Sequence, residues 1–226
     1  MLGESTMYKN ILRFLSLTIA LIGLFSLVGC SSATSLFSKS PNLEGKWIAY
    51  SGYTVKNIVE AKDTPIFTMT LTAKNDIKTI YTADISAYNY QYVTQDHRPS
   101  IESTEMVGNI KEVHLKYDTA LMKMISAKNI LGNVDESNPN KIKMNVSSMP
   151  NSDIVYNPNT DTLQFMDQTF KRVSDSNSLQ TLADDYKKDL KEASNKYLEE
   201  VGNAANPKTK FIVNYIFNDN LIKEEQ

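Results

Sequence analysis

The chain has 226 residues, 41% of them hydrophobic and 22% charged, with 24 basic against 26 acidic side chains. That length suits one domain with a proper core, and the charge balance argues against nucleic acid as a partner, because phosphate binding needs Lys and Arg gathered on one face. A single cysteine excludes an internal disulfide framework, so packing alone has to hold the fold.

Lys9 and Arg13 precede an apolar run from Phe14 to Val28, and small residues follow at Gly29, Ser31 and Ser32. Basic, apolar and then small is the order of a secretory signal, and the run is short against the roughly twenty residues a spanning helix needs. Leu27-Val28-Gly29-Cys30 resembles the lipobox of bacterial lipoproteins. The resemblance implies cleavage between Gly29 and Cys30, acylation of the Cys30 thiol, and a domain anchored in a membrane of the cell envelope on its extracytoplasmic side. Several acyl chains make such an anchor lasting, since each buried methylene contributes ~0.8 kcal/mol. Loss of residues 1–29 removes Lys9, Arg13 and Glu4, which leaves 22 basic and 25 acidic side chains, a net of −3.

Residues 30–42 read as the acylated cysteine and a serine-rich flexible tether, and 43–226 as a single domain. Gly45-Lys46-Trp47 opens the first strand, and Asn57 to Pro65 reads as a polar connection. Phe67, Met69, Leu71 and Ala73 alternate with threonines and Lys74, the pattern of a strand with one buried face. From Ile77 to Val93 the alternation continues through Tyr81, Ala83 and Ile85 and then through Tyr88, Tyr90 and Tyr92, with a bend expected near Ser86-Ala87. The tyrosines read as a half-exposed strand face. Gln95 to Gly108 is expected to be a loop.

Val113, Leu115 and Tyr117 form the next strand, and Asp118-Thr119 is expected to turn the chain into Leu121–Ile125, which fits a strand or a short helix. Asn133–Asn140 reads as a loop before a strand through Ile142, Met144 and Val146. Ile154 and Tyr156 start a hairpin whose turn is Asn157–Asp161, and a further strand covers Thr169–Val173. At Asp175 the period changes: Leu179, Leu182, Tyr186, Leu190, Ala193, Tyr197 and Val201 recur at helical spacing. The spacing predicts a helix over 178–202, capped by Ser178 and ended by Gly202. Phe211–Phe217 is dense in β-branched and aromatic residues and reads as a last strand, although Asn206-Pro207 also suits a helix start.

The class is therefore mainly β: an antiparallel meander of about eight or nine strands closed into a barrel, one long amphipathic C-terminal helix and a final strand. Gly-x-Trp at 45–47, the meander to Val173, the helix and Phe211–Phe217 together resemble a lipocalin. The resemblance implies that Arg172 stacks on the Trp47 indole and that the last strand pairs beside the first. It also implies a cavity for a small apolar ligand, with Phe67, Met69, Leu71, Tyr81, Leu115 and Met144 as candidate lining residues. The alternative is a filled barrel that docks an envelope protein, with the tyrosine row or the helix as its surface.

Catalysis has no such support. His97 and His114 have no ligand-spaced partners, and no hydrolase, metalloprotease or phosphate-loop motif occurs. Asp96, His97, Glu102 and Glu105 are a weak metal combination, and the expectation is no metal, no cofactor and no enzymatic activity.

Overall fold

The computed structural model describes residues 41–93, 99–145 and 152–225. The signal segment, Gly29 and Cys30, the pair Asp96 and His97, and Val146 lie outside them. The strands are β1 (Gly45–Ala49), β2 (Ile66–Ala73), β3 (Ile80–Tyr92), β4 (Ser100–Val107), β5 (Ile110–Asp135), β6 (Asn138–Met144), β7 (Ile154–Asn157), β8 (Thr162–Phe165), β9 (Gln168–Arg172) and β10 (Thr209–Asn218). The helices are α1 (Val55–Glu60), α2 (Leu179–Ala205) and α3 (Asn220–Glu225).

Hydrogen bonds run from β5 through β3, β2, β1, β9, β8, β7 and β6 and return to β5, so eight of the ten strands form a ring. β4 pairs antiparallel with β5, and β10 pairs parallel with it. Closure leaves the eight ring strands without free edges of the kind that template aggregation, while β4 and β10 lie outside the ring. The mainly β class with one long helix and a final strand is thus the observed architecture.

The residues group into two compact units. The first comprises the segment ending at Glu44, Leu71–Asp84 and Ala127–Asp167. Its core includes Leu43, Leu71, Tyr81, Ile142, Ile154 and Leu163, all fully buried. Asn75 sets its first turn, its side-chain oxygen accepting from the amides of Thr79 and Ile80 at 2.9 and 3.1 Å. The predicted turn at 157–161 is present, with Asp161 in the left-handed region and its carboxylate accepting from the Tyr156 hydroxyl at 3.1 Å.

The second unit comprises Gly45–Thr70, Ile85–Ser126 and Gln168–Gln226. Here α2 and α3 cover one sheet face: Ala183, Tyr186, Leu190 and Ile222 pack with Ile48, Ile66, Tyr88, Tyr90 and Leu121. Ser178 caps α2 as expected, its hydroxyl accepting from the Thr181 amide at 3.2 Å.

Several local expectations change. Residues 55–60 form α1 instead of a connection, because the Asn57 side chain accepts from the Thr54 amide at 2.9 Å and its hydroxyl at 2.7 Å, closing the helix start. Ile77 lies in the Asn75 turn and is exposed, so β3 begins only at Ile80. Residues 100–107 are a strand, joined to β5 by the two-residue turn Gly108-Asn109 with Gly108 at φ +64°, the geometry that admits glycine at the first turn position. No turn occurs at Asp118-Thr119. Asp118 accepts the Val93 amide at 3.0 Å and the Thr119 hydroxyl donates to the Ile216 carbonyl at 3.1 Å, so β5 continues for 26 residues, through the Leu121–Ile125 segment and on to Asp135. α2 passes through Gly202 and stops ahead of Pro207, whose ring disfavours helical geometry in the residue before it.

The last strand does not join β1. β1 already has β2 and β9 as neighbours, whereas β5 offers Val113, Leu115 and Tyr117 in register with Phe211, Val213 and Tyr215.

A Cβ added at Gly132 meets Ile142 Cγ2 and Met144 Sδ at 2.6 Å each. Gly132→Ala is expected to cost about 1–3 kcal/mol by overpacking, seen as a lowered midpoint in thermal denaturation followed by circular dichroism. An unchanged midpoint would show that the β5–β6 contact yields freely.

Candidate functional site

Trp47 on β1 and Arg172 on β9 face each other directly in the antiparallel register. The indole is fully buried, and the guanidinium carbon lies 4.1 Å from its ring centre. Gly45 has φ +130°, and a Cβ there would stand 3.5 Å from Arg172 Nη1. Glycine thus supplies the backbone angle, a Cβ there would meet the cation only in ordinary van der Waals contact, and Trp47 and Arg172 form a lock between the first and ninth strands.

The tyrosine row is largely interior. Tyr88 and Tyr90 are buried and only Tyr92, 37% exposed, reaches solvent. Ring contacts of 5.0–5.6 Å link Tyr92, Tyr117, Tyr215, Phe217, Tyr90 and Tyr186 and then Tyr50 and Tyr53. Several of their hydroxyls meet polar partners: Tyr90 donates to Asp219 Oδ1 at 2.6 Å, Tyr50 to Asp189 Oδ2 at 3.0 Å, and Tyr215 bonds Ser194 at 2.7 Å. Lys187 ion-pairs with the same Asp219, which ties α3 to α2. Burial pushes the Tyr53 hydroxyl up to about 12 and raises Tyr50, Tyr90, Tyr186 and Tyr215 further.

Of the candidate lining residues, Met69, Leu71 and Tyr81 are 0–1% exposed. Met144 is buried, and Phe67 and Leu115 are half-buried. Phe67 packs against Phe170 with ring centres 6.4 Å apart.

In the three-stranded part of the sheet, β4–β5–β10, α2 packs against β10, whereas β4 stays exposed, and one face carries most of the polar side chains. On the polar face His114 Nε2 lies 3.1 Å from Glu105 Oε1, Lys210 Nζ lies 2.9 Å from Glu112 Oε1, and Asn214 donates to Glu102 Oε2 at 2.9 Å. Glu105, Glu112 and His114 are the residues able to share a cation, their ligand atoms lying within 4.8 Å of one another. Lys210 and the imidazole already serve these carboxylates, and Glu102 is turned to β10.

β4 itself is the most open element. All eight of its residues are exposed, with Ile101 at 69%, Met106 at 65% and Val107 at 54%. Among the described residues only β5 pairs with it. The sequence signal for this strand was present in Gly108-Asn109, flanked by Met106-Val107 and Ile110, a two-residue hairpin turn between apolar ends. A shallow groove of about 330 Å³ lies between α1 and α2, lined by Tyr53, Val55, Lys56, Asp189, Glu192 and Lys196, and its charges of both signs do not single out a ligand class.

Arg172→Ala is expected to cost about 0.5–2 kcal/mol, the worth of a cation–π contact, and to red-shift the emission of Trp47, the chain's one tryptophan; unchanged stability and emission would remove the lock. A phenol protonated more tightly in the folded chain stabilises it fully below the unfolded value near 10, and that stability is lost as pH rises through the folded value. The phenolate absorbance of Tyr50, Tyr90, Tyr186 and Tyr215 is therefore expected only with alkaline unfolding, and ionisation of every tyrosine near pH 10 with the fold intact would contradict the packing described.

Compared with known proteins, the chain matches no family model, no curated protein and no solved structure.

Proposed function

We propose that this chain is a lipid-anchored protein of the bacterial cell envelope that acts without catalysis, by binding a protein partner with the β4–β5–β10 sheet. One observation supports the choice: every residue of β4 is exposed, while Met69, Leu71 and Tyr81, three of the six candidate cavity-lining side chains, are fully buried. Exposed apolar side chains along a strand edge are characteristic of surfaces that meet another chain. The reading assigns attachment to acylation at Cys30, after cleavage at Gly29, on the resemblance of Leu27-Val28-Gly29-Cys30 to a lipobox.

A second reading, a lipocalin-like binder of a small apolar ligand, draws on the Trp47–Arg172 lock together with the ring of eight strands and the long helix.

Two measurements separate and test these readings. Radiolabelled palmitate is expected in the wild-type protein and not in Cys30→Ser, which should leave the membrane fraction; a Cys30→Ser protein that still sediments with membranes would refute the anchor. Mass spectrometry of the purified mature domain is expected to find no stoichiometric lipid, and a bound lipid would favour the lipocalin-like reading over the protein-binding one.

A further inference from the structure

We infer that the outer edge of β4 is a strand-addition site for an extended protein segment in which basic and apolar residues alternate. The inference rests on the protein-partner reading and names the surface and the chemistry of the partner.

The hairpin register decides which backbone groups are free. Val107 and Ile110 close the two-residue turn and form a hydrogen-bonded pair, so Glu105 pairs in the same way with Glu112, and Ser103 with His114. Thr104 and Met106, at the alternate positions, direct their N–H and C=O groups away from β5. These groups form a ladder edge of the kind that an added strand completes with main-chain hydrogen bonds.

Side chains then select the partner. The register places Ser103 and Glu105 on the polar face with His114, and Glu102, in the bulge between Ile101 and Ser103, reaches Asn214 on that same face. Ile101, Thr104 and Met106 occupy the other face. Glu112 has Lys210 as its counter-charge and Lys116 lies 3.5 Å from Asp118, whereas Glu102 meets an amide and Glu105 an imidazole. A strand laid along β4 therefore finds carboxylates on one face and exposed apolar side chains on the other, which calls for lysine or arginine alternating with aliphatic residues.

The same charges disfavour a second copy of this chain. An antiparallel pairing that matches Thr104 of one copy to Met106 of the other sets the two Glu105 side chains directly opposite, and like charges in that position destabilise a sheet.

The test uses the full-length protein in detergent micelles and a fluorescein-labelled peptide of four alternating Lys-Val repeats, with a Glu-Val peptide of equal length for comparison, read by fluorescence anisotropy. The Lys-Val peptide is expected to bind at least about tenfold more tightly, from two opposite-charge pairs replacing two like-charge pairs. Thr104→Pro removes an outward N–H without touching the β4–β5 ladder and is expected to abolish binding. The double variant Glu102→Lys, Glu105→Lys keeps the edge and is expected to reverse the preference between the peptides, which makes the outcome independent of how well the proline variant folds. Equal affinity for both peptides, or an unreversed preference in the double variant, overturns the site. Crosslinking in intact envelopes separates the two levels: a protein partner captured equally by the wild type and Thr104→Pro overturns the β4 edge and leaves protein binding standing, while absence of any captured protein together with failure of both peptides overturns both.

Discussion

The packing of α2 onto a sheet face is the interaction on which the second unit depends. Tyr186 and Leu190 lie against Ile48, Ile66, Tyr88, Tyr90 and Leu121, and each such side chain taken from water contributes about 1.5–3 kcal/mol. The consequence for the sequence is that β1 and β3 must be apolar on both faces there. Trp47 turns to Arg172 while its neighbour Ile48 turns to the helix side, and the burial of β3 runs unbroken from Ala87 to Tyr90. The tyrosines suit this position because each offers a large apolar ring and a hydroxyl able to meet a polar partner at the edge of the layer. Asp219, Asp189 and Ser194 are those partners.

β5 is the second organising element. At 26 residues it is far longer than the usual strand of about five or six, and it holds different neighbours along its length: β10 beside Lys111–Ala120 and β6 beside Gly132–Asp135. Its first part therefore builds a three-stranded sheet beyond what ring closure needs. α2 packs against β10, and β4, on the far side of β5 from β10, takes no further strand among the described residues. An edge of this kind normally carries devices against uncontrolled pairing. Here the bulge at Ile101/Ser103 and the carboxylates of Glu102 and Glu105 serve that purpose, and they also restrict which segment is welcome.

The contrast between closed and open surfaces ties structure to function. Of the side chains nominated as cavity walls, Met69, Leu71, Tyr81 and Met144 are buried in the core, and of the tyrosines nominated as a docking face, Tyr88 and Tyr90 pack with the chain's own helix. What stays available is polar and apolar surface side by side on β4. Tethering a domain of this kind to a membrane would restrict its search for a partner to the same layer, which favours modest contacts reinforced by high local concentration.

Local pattern determined a good deal by itself. Period-2 alternation located β2, the first part of β5, β6 and the β7–β8 hairpin; the switch to a period of three and four located α2; and Ser178 marked its start. The meeting of Arg172 with the Trp47 indole, which the resemblance carried by Gly45-Lys46-Trp47 implied, is present. Tertiary structure alone decided the rest. Alternation states that two faces differ but not what covers each, so it did not reveal that Tyr88 and Tyr90 lie beneath a helix more than ninety residues downstream. Asp118-Thr119 looks like a turn until Val93 and Ile216 supply long-range hydrogen bonds that hold it extended. β4 shows no period-2 apolar alternation to announce it, because the bulge between Ile101 and Ser103 puts Ile101 out of phase with the rest, and it pairs with β5 alone among the described residues. The place of β10 depended on which strand still had an edge to offer, a property of the assembled sheet and of no single segment.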